Sequence, residues 1–213
     1  MMKDLLKKSL SHVFWIGGPA NSGKTTISSI IAWKKRFQRY SYDKNAMDHL
    51  ERLAIASGHQ WMMPTESQED SWASIMSGAI VYQTLKYFEN RFPLVIEDLL
   101  AIPSDKPVLA EGIGFTPDLI EPCLSSPAQA IWLIPEAKFM EKSLRQKIKP
   151  PLTHLMQHPY RTLDALIMRD LQMVEIVTNQ VKAHGYKMIV IDGTVSKQEI
   201  ALQVMAHFEQ HTS

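Results

Sequence analysis

Two kinds of apolar run alternate along this chain: short unbroken stretches, and longer stretches that repeat every three or four residues. The short ones, at residues 12–17, 107–111, 128–135 and 187–192, read as buried strands. Residues 39–42 alternate weakly and read as a further strand, second in the chain and ending at Asp43. The longer runs read as helices. The first ends at about Arg36 and carries Ile27, Ile30 and Ile31 at helical spacing. Residues 45–57 place Met47, Leu50, Leu53 and Ala54 on one face, with Gly58 as a C-cap. Residues 71–90 carry Trp72, Ile75, Met76, Ala79, Ile80, Leu85 and Phe88, and Pro93 opens a separate helical segment over 94–100. Further helices are predicted at 117–124, 137–147, 163–184 and 197–210. Residues 1–11 form a short leader with one helical turn, and 59–70 a loop.

Strands that alternate with helices predict an α/β fold: a parallel sheet, right-handed crossovers and helices on both faces. Such sheets hold ligands at the C-terminal ends of their strands. That rule selects five places: the loop after the first strand, Asp43, Glu111, Pro135-Glu136 and Asp192-Gly193-Thr194. Three of these strand ends carry a carboxylate at or beside the last strand residue, as a magnesium–phosphate site requires.

The loop after the first strand is the most specific of the five. Gly18-Pro19-Ala20-Asn21-Ser22-Gly23-Lys24-Thr25 fits the pattern G-x-x-x-x-G-K-[ST] in full, between a strand and a helix. Gly18 and Gly23 allow backbone conformations that turn successive N–H groups inward as an anion nest. The helix that starts near Lys24 adds unpaired amides and the positive end of its dipole. Gly18, Asn21, Ser22, Gly23, Lys24, Thr25 and Thr26 are therefore the expected nucleotide-binding residues. Lys24 supplies a cation for the outer phosphates and Thr25 a hydroxyl ligand for Mg2+. The sequence predicts a nucleoside triphosphate site.

Composition narrows the partners. The 213 residues suit one domain, and 23 Lys and Arg against 22 Asp and Glu leave a formal net charge of +1. No overall field favours nucleic acid or an acidic membrane surface. Cys123 stands alone, which excludes a disulfide within the chain and a four-cysteine zinc site, and reads as a small buried residue. No apolar run approaches the length of a membrane span, and the charged leader runs straight into the phosphate loop rather than to a cleavage site. A cytoplasmic protein is expected.

Taken together, these residues resemble a P-loop kinase of the nucleoside and nucleotide kinase type. Val108-Leu109-Ala110-Glu111-Gly112-Ile113 is similar to the corresponding stretch of uridine kinase and phosphoribulokinase-like enzymes, and Ile191-Asp192-Gly193-Thr194 resembles the last strand of nucleoside monophosphate kinases. The Asp-Gly-Phe-Pro-Arg run of adenylate kinase is absent. The resemblance implies a three-layer α/β/α fold with strand order 2-3-1-4-5 and one kinase-like domain over 1–213. Within it, residues 44–101 would form a helical acceptor-binding region and 145–165 a lid-like segment.

The same resemblance distributes the chemistry. Asp43 is the candidate to bind the acceptor hydroxyl and accept its proton, against the plainer job of capping the helix that follows. Glu111 is the candidate metal-site carboxylate, through a magnesium-bound water, or an acceptor contact, against a solvated strand end. Glu97 with Asp98 is a weaker candidate for the same carboxylate role, and on a helix reads first as an exposed face. Arg145, Arg161 and Arg169 are lid arginines that neutralise charge growing on the transferred phosphoryl group. His59, Trp61, Met62, Met63 and Trp72 stand where such kinases line the acceptor pocket, although Trp72 reads first as a helix-core residue and Trp61 as either a pocket residue or its cover. The leading expectation is an ATP-dependent small-molecule kinase using ATP and Mg2+ with a small-molecule acceptor. A nucleotide-dependent regulatory ATP-binding protein and an antibiotic-modifying phosphotransferase are its alternatives.

Overall fold

The computed structural model describes residues 2–57, 78–147 and 159–212. The Gly58 cap, the 59–70 loop, the first part of the helix expected from residue 71, and residues 148–158 of the basic segment lie outside these. Five strands, β1 (Val13–Gly17), β2 (Gln38–Ser41), β3 (Val108–Glu111), β4 (Ala130–Pro135) and β5 (Lys187–Ile191), form one parallel sheet in the order β2-β3-β1-β4-β5. Among the described residues eight helices accompany it: α1 (Met2–Ser9), α2 (Lys24–Lys35), α3 (Ala46–Ser57), α4 (Ala79–Ala101), α5 (Pro117–Ile120), α6 (Ala137–Lys147), α7 (Pro159–Ala183) and α8 (Lys197–Thr212). The α/β class and the strand order match the sequence expectation.

Alternation along β1 sorts the core into two layers. Val13 and Trp15 face one side, where Trp132 of β4, Val95 and Leu99 of α4 and Val177 of α7 pack. Phe14 and Ile16 face the other, against Ile27 and Ile31 of α2 and Val204 and Phe208 of α8. Both faces of the central strands are therefore covered, which is why their sequences are continuously apolar. Gln129, just before β4, is the polar exception. Its amide nitrogen donates to the carbonyls of Leu10, Ser11 and Val13 at 3.1–3.2 Å, and its oxygen accepts from both Ser125 and Ser126. One side chain thus ties the start of β1 to the start of β4.

Two expectations need correcting. Pro93 does not open a new helix; it sits inside the continuous helix α4. Proline removes one intrahelical bond, but Phe88 before it and Val95 and Leu99 after it are buried in the same core, and that packing holds the two halves in line. The buried face of α3 is Ala46, His49 and Leu50, whereas Met47 is 73% exposed. A histidine displaces the methionine from the interior because its ring finds polar partners there, described below.

Beyond β3 the chain hugs the ring of Tyr42. A Cβ placed on Gly112 would lie 2.2 Å from the Tyr42 Cβ, and one on Gly114 would lie 2.3 Å from its Cζ. Tyr42 is buried and meets Phe115 and Phe88 edge-on, so it has no room to retreat. Gly112→Ala is expected to lower the unfolding free energy by about 1–3 kcal/mol. Urea denaturation would show this as a lower midpoint at unchanged slope.

Candidate functional site

The phosphate loop lies where β1 ends over β4. Gly18 takes φ 132°, and a Cβ there would stand 2.2 Å from the Leu133 carbonyl oxygen, so only glycine lets the loop cross the neighbouring strand. Gly23, at φ 84°, turns the chain into α2, and the amides of Thr26 and Ile27 both reach back to its carbonyl at 3.0 Å. The backbone amides ahead of these begin a helix without partners of their own along it, as an anion site needs.

Lys24 is buried, and its Nζ donates to the Pro19 carbonyl at 2.7 Å and to Ser22 Oγ at 3.2 Å. The side chain is thereby folded back across its own loop. Burial lowers its pKa to about 8, against the opposing pull of Asp43, Glu111 and Asp170. Those three carboxylates identify what the lysine faces.

Glu111 is brought alongside the loop by register, opposite Ile16 on β1 and Ser41 on β2. Its carboxylate is 0% exposed. Oε2 accepts from Thr25 Oγ1 at 3.2 Å, Oε1 from Ser41 Oγ at 2.8 Å, and Arg39 Nη2 stands 3.8 Å from Oε1. The plainer alternative of a solvated strand end therefore does not hold. The Thr25 hydroxyl at the start of α2 and the Glu111 carboxylate at the end of β3, in contact with each other, are hard oxygen donors of the kind that Mg2+ takes.

Asp43 follows β2 and stands exposed at the same end of the sheet. Surrounding protein raises its pKa above the usual carboxylate range; Lys24 acts the other way, Glu111 adds to the rise and Arg91 opposes it. Its carbonyl oxygen takes the Ala46 amide at 3.3 Å, at the entry to α3.

The arginines separate. Arg169 on α7 is held by Asp170, whose Oδ1 accepts from Nε at 3.0 Å and Nη2 at 2.8 Å. Asp170 is buried and acts electrostatically on Lys24, so this pair belongs to the phosphate side. Arg145 instead lies on an exposed face, paired with Glu141 at 3.0 Å and with Asp164 of α7 at 2.8 Å. It joins α6 to α7. The Arg161 side chain and residues 59–72 lie outside the described residues.

Tyr40, His49, Arg52, Arg91 and Asp170 escaped the sequence reading, and Asp98, read with Glu97 as an exposed face, is instead partly buried among the first three. Asp98 of α4 accepts from His49 Nε2 at 2.8 Å, Tyr40 Oη at 2.9 Å and Arg52 Nη1 at 2.9 Å. Burial pushes its carboxyl up, but bonds from these three groups outweigh that and hold it below the usual range. Its partner in sequence, Glu97, takes Arg52 Nη2 at 2.6 Å. The missed signal was a charge on an apolar stripe. Arg91 follows Tyr87 and precedes Val95 and Leu99 at intervals of four, and Asp170 follows Leu163 and Ile167 at intervals of four and then three.

No protein-family model matches the sequence, and no curated protein is significantly similar to it. Solved structures do resemble it. Shikimate kinase from Acinetobacter baumannii, in complex with shikimate, aligns with a TM-score of 0.50 at 14% identity, over 96% of this chain and 97% of that one. Shikimate kinase from Bacteroides thetaiotaomicron aligns with a TM-score of 0.49 at 12% identity, over 94% of this chain and 98% of that one. At such identities the likeness is one of fold. With the phosphate loop at β1 and the order β2-β3-β1-β4-β5, the chain has the P-loop kinase-like fold.

Proposed function

We propose that this protein is an ATP-dependent kinase that transfers the γ-phosphoryl group to a hydroxyl of a small metabolite. The observation that carries the reading is the convergence of Lys24, Thr25, Glu111 and Asp43 at the C-terminal ends of β1, β3 and β2. Phosphoryl transfer asks for positioning and charge neutralisation more than for covalent chemistry. These four groups supply both, and the kinase fold of the structural neighbours agrees with them.

The loop amides from Gly18 to Thr26 take the phosphates, with Asn21 and Ser22 at the bend. Lys24 releases the Pro19 carbonyl and turns to the outer phosphates. Thr25 and Glu111 would hold Mg2+, directly or through its water, and when bound it neutralises charge between the phosphates. Asp43 takes the acceptor proton as the acceptor oxygen bonds to the γ-phosphorus. The bond from that phosphorus to the bridging oxygen breaks, and ADP leaves with its electron pair. Arg169, and Arg145 if the α6–α7 face closes, add positive charge to the transferred group. In this reading residues 44–101 bind the acceptor, 145–165 close over it, and 1–213 act as one kinase unit. The cytoplasm suits ATP-dependent metabolism, and no helix among the described residues is long and apolar enough to cross a membrane.

Incubation with ATP, magnesium and a panel of hydroxylated metabolites, shikimate included, should release ADP only when an accepted hydroxyl is present. Lys24→Ala should abolish release, and Asp43→Asn should lower kcat by about 10²–10⁴ while nucleotide still binds. ADP release that proceeds equally fast without any acceptor would sink the kinase reading.

Nucleotide binding should also be linked to protons. With its pKa lowered to about 8, Lys24 is charged in the free protein below that pH and neutral above it. A triphosphate favours the charged form, so above about pH 8 binding draws in a proton, and affinity falls as pH rises. Calorimetry in two buffers of different ionisation enthalpy should register net proton uptake near pH 8.5. Equal heats in the two buffers would count against this linkage.

A further inference from the structure

Arg91 is the least expected charge in the protein. It is 1% exposed, and among the described residues no carboxylate contacts it. Taking a guanidinium out of water costs several kcal/mol unless other groups replace the lost hydration. Here they come from three neighbours. The guanidinium carbon lies 3.8 Å from the centroid of the Tyr42 ring and 5.1 Å from that of Tyr87. Nη2 donates to the Tyr42 carbonyl at 2.9 Å and Nη1 to Tyr87 Oη at 3.1 Å. Nε donates to His49 Nδ1 at 3.3 Å.

The histidine contact fixes a direction. A guanidinium only donates, so Nδ1 of His49 accepts and the network assigns the ring proton to Nε2, which donates to Asp98 at 2.8 Å. Asp98 is in turn held by Tyr40 and Arg52. Arg91 is therefore clamped from α3 and α4 and cannot swing out as a substrate hook. Its free consequence lies on the other side. The bond to the Tyr42 carbonyl grips the residue immediately before Asp43, and the stack presses the Tyr42 ring against Gly112 and Gly114, directly after Glu111. One buried cation thus backs both strand ends that carry the site's carboxylates.

We propose that Arg91 is a positioning residue for the acceptor side of the site: through Tyr42 it fixes where β2 delivers Asp43, and it sets a buried positive charge behind that carboxylate. The proposal rests on reading Asp43 as the acceptor-side carboxylate. Groups facing Asp43 from the packed elements are Lys24 of α2, Glu111 of β3 and Arg91 of α4.

The test is spectroscopic and needs no acceptor. In the nitrogen–proton spectrum of the full chain at a fixed neutral pH, Asp43→Asn should move the Arg91 Nε–Hε cross-peak, whereas Lys44→Gln at the adjacent exposed position should not. A role confined to core packing would not sense the Asp43 charge. Arg91→Lys keeps a charge but loses the fork and most of the stack. It should lower hydrogen-exchange protection of the Tyr42 amide, which donates to the Glu111 carbonyl at 2.9 Å, by about tenfold or more. A cross-peak unmoved by Asp43→Asn overturns the proposal, as does wild-type Tyr42 protection in folded Arg91→Lys protein. Asp43 is exposed, so its variant reports even if Arg91→Lys does not fold. Failure of the kinase reading shows in turnover, and failure of this proposal shows in the spectrum.

Discussion

A carboxylate sealed from water sits at the head of the central sheet, and the surrounding architecture is what makes Glu111 tolerable there. An ionised carboxyl in that setting needs donors for its lone pairs and a compensating charge. The sheet order supplies both. Because β3 lies between β2 and β1, Ser41 reaches Glu111 from one side and Thr25, just past the phosphate loop, from the other. Arg39, two residues before Ser41, points to the same face and brings the positive charge to 3.8 Å. A slip of one residue in either parallel register would turn Glu111 to the opposite face of the sheet and dismantle the cluster.

That requirement also explains which parts of the chain could be read in advance. The phosphate loop is legible because its chemistry is local: eight consecutive residues hold the glycines, the lysine and the threonine. The strands are legible because burial on both faces leaves unbroken apolar runs. The cluster around Arg91 and Asp98 is assembled from a distance. Arg91 meets Tyr42 and His49 across more than forty residues, and Asp98 gathers Tyr40, His49 and Arg52 from β2 and α3. Nothing in residues 38–57 alone announces a partner in 91–98.

The misread elements fail for the same reason. A helix-breaking signal at Pro93 is real and local, worth about 3 kcal/mol in isolation, but Phe88, Val95 and Leu99 are anchored in one core on either side of it. Met47 looked interior by periodicity, yet the inward positions of α3 went to Ala46, His49 and Leu50. Apolar pattern assigns a histidine outward by default. The buried donors and acceptors that draw His49 inward, Arg91 and Asp98, are tertiary.

Two cations at this end of the sheet, Lys24 and Arg91, are held in opposite ways. Among the described residues Lys24 is hydrogen-bonded to its own loop, at Pro19 and Ser22, and burial makes its charge expensive enough to bring its pKa to about 8. Such a group is poised to exchange weak partners for a polyanion, whose charge offsets the cost of burial more fully than a carbonyl and a hydroxyl do. Arg91 has spent its donors on a carbonyl, a phenol and an imidazole anchored to three elements, and a guanidinium does not shed its charge to escape burial. A ligand can recruit the first cation but not the second.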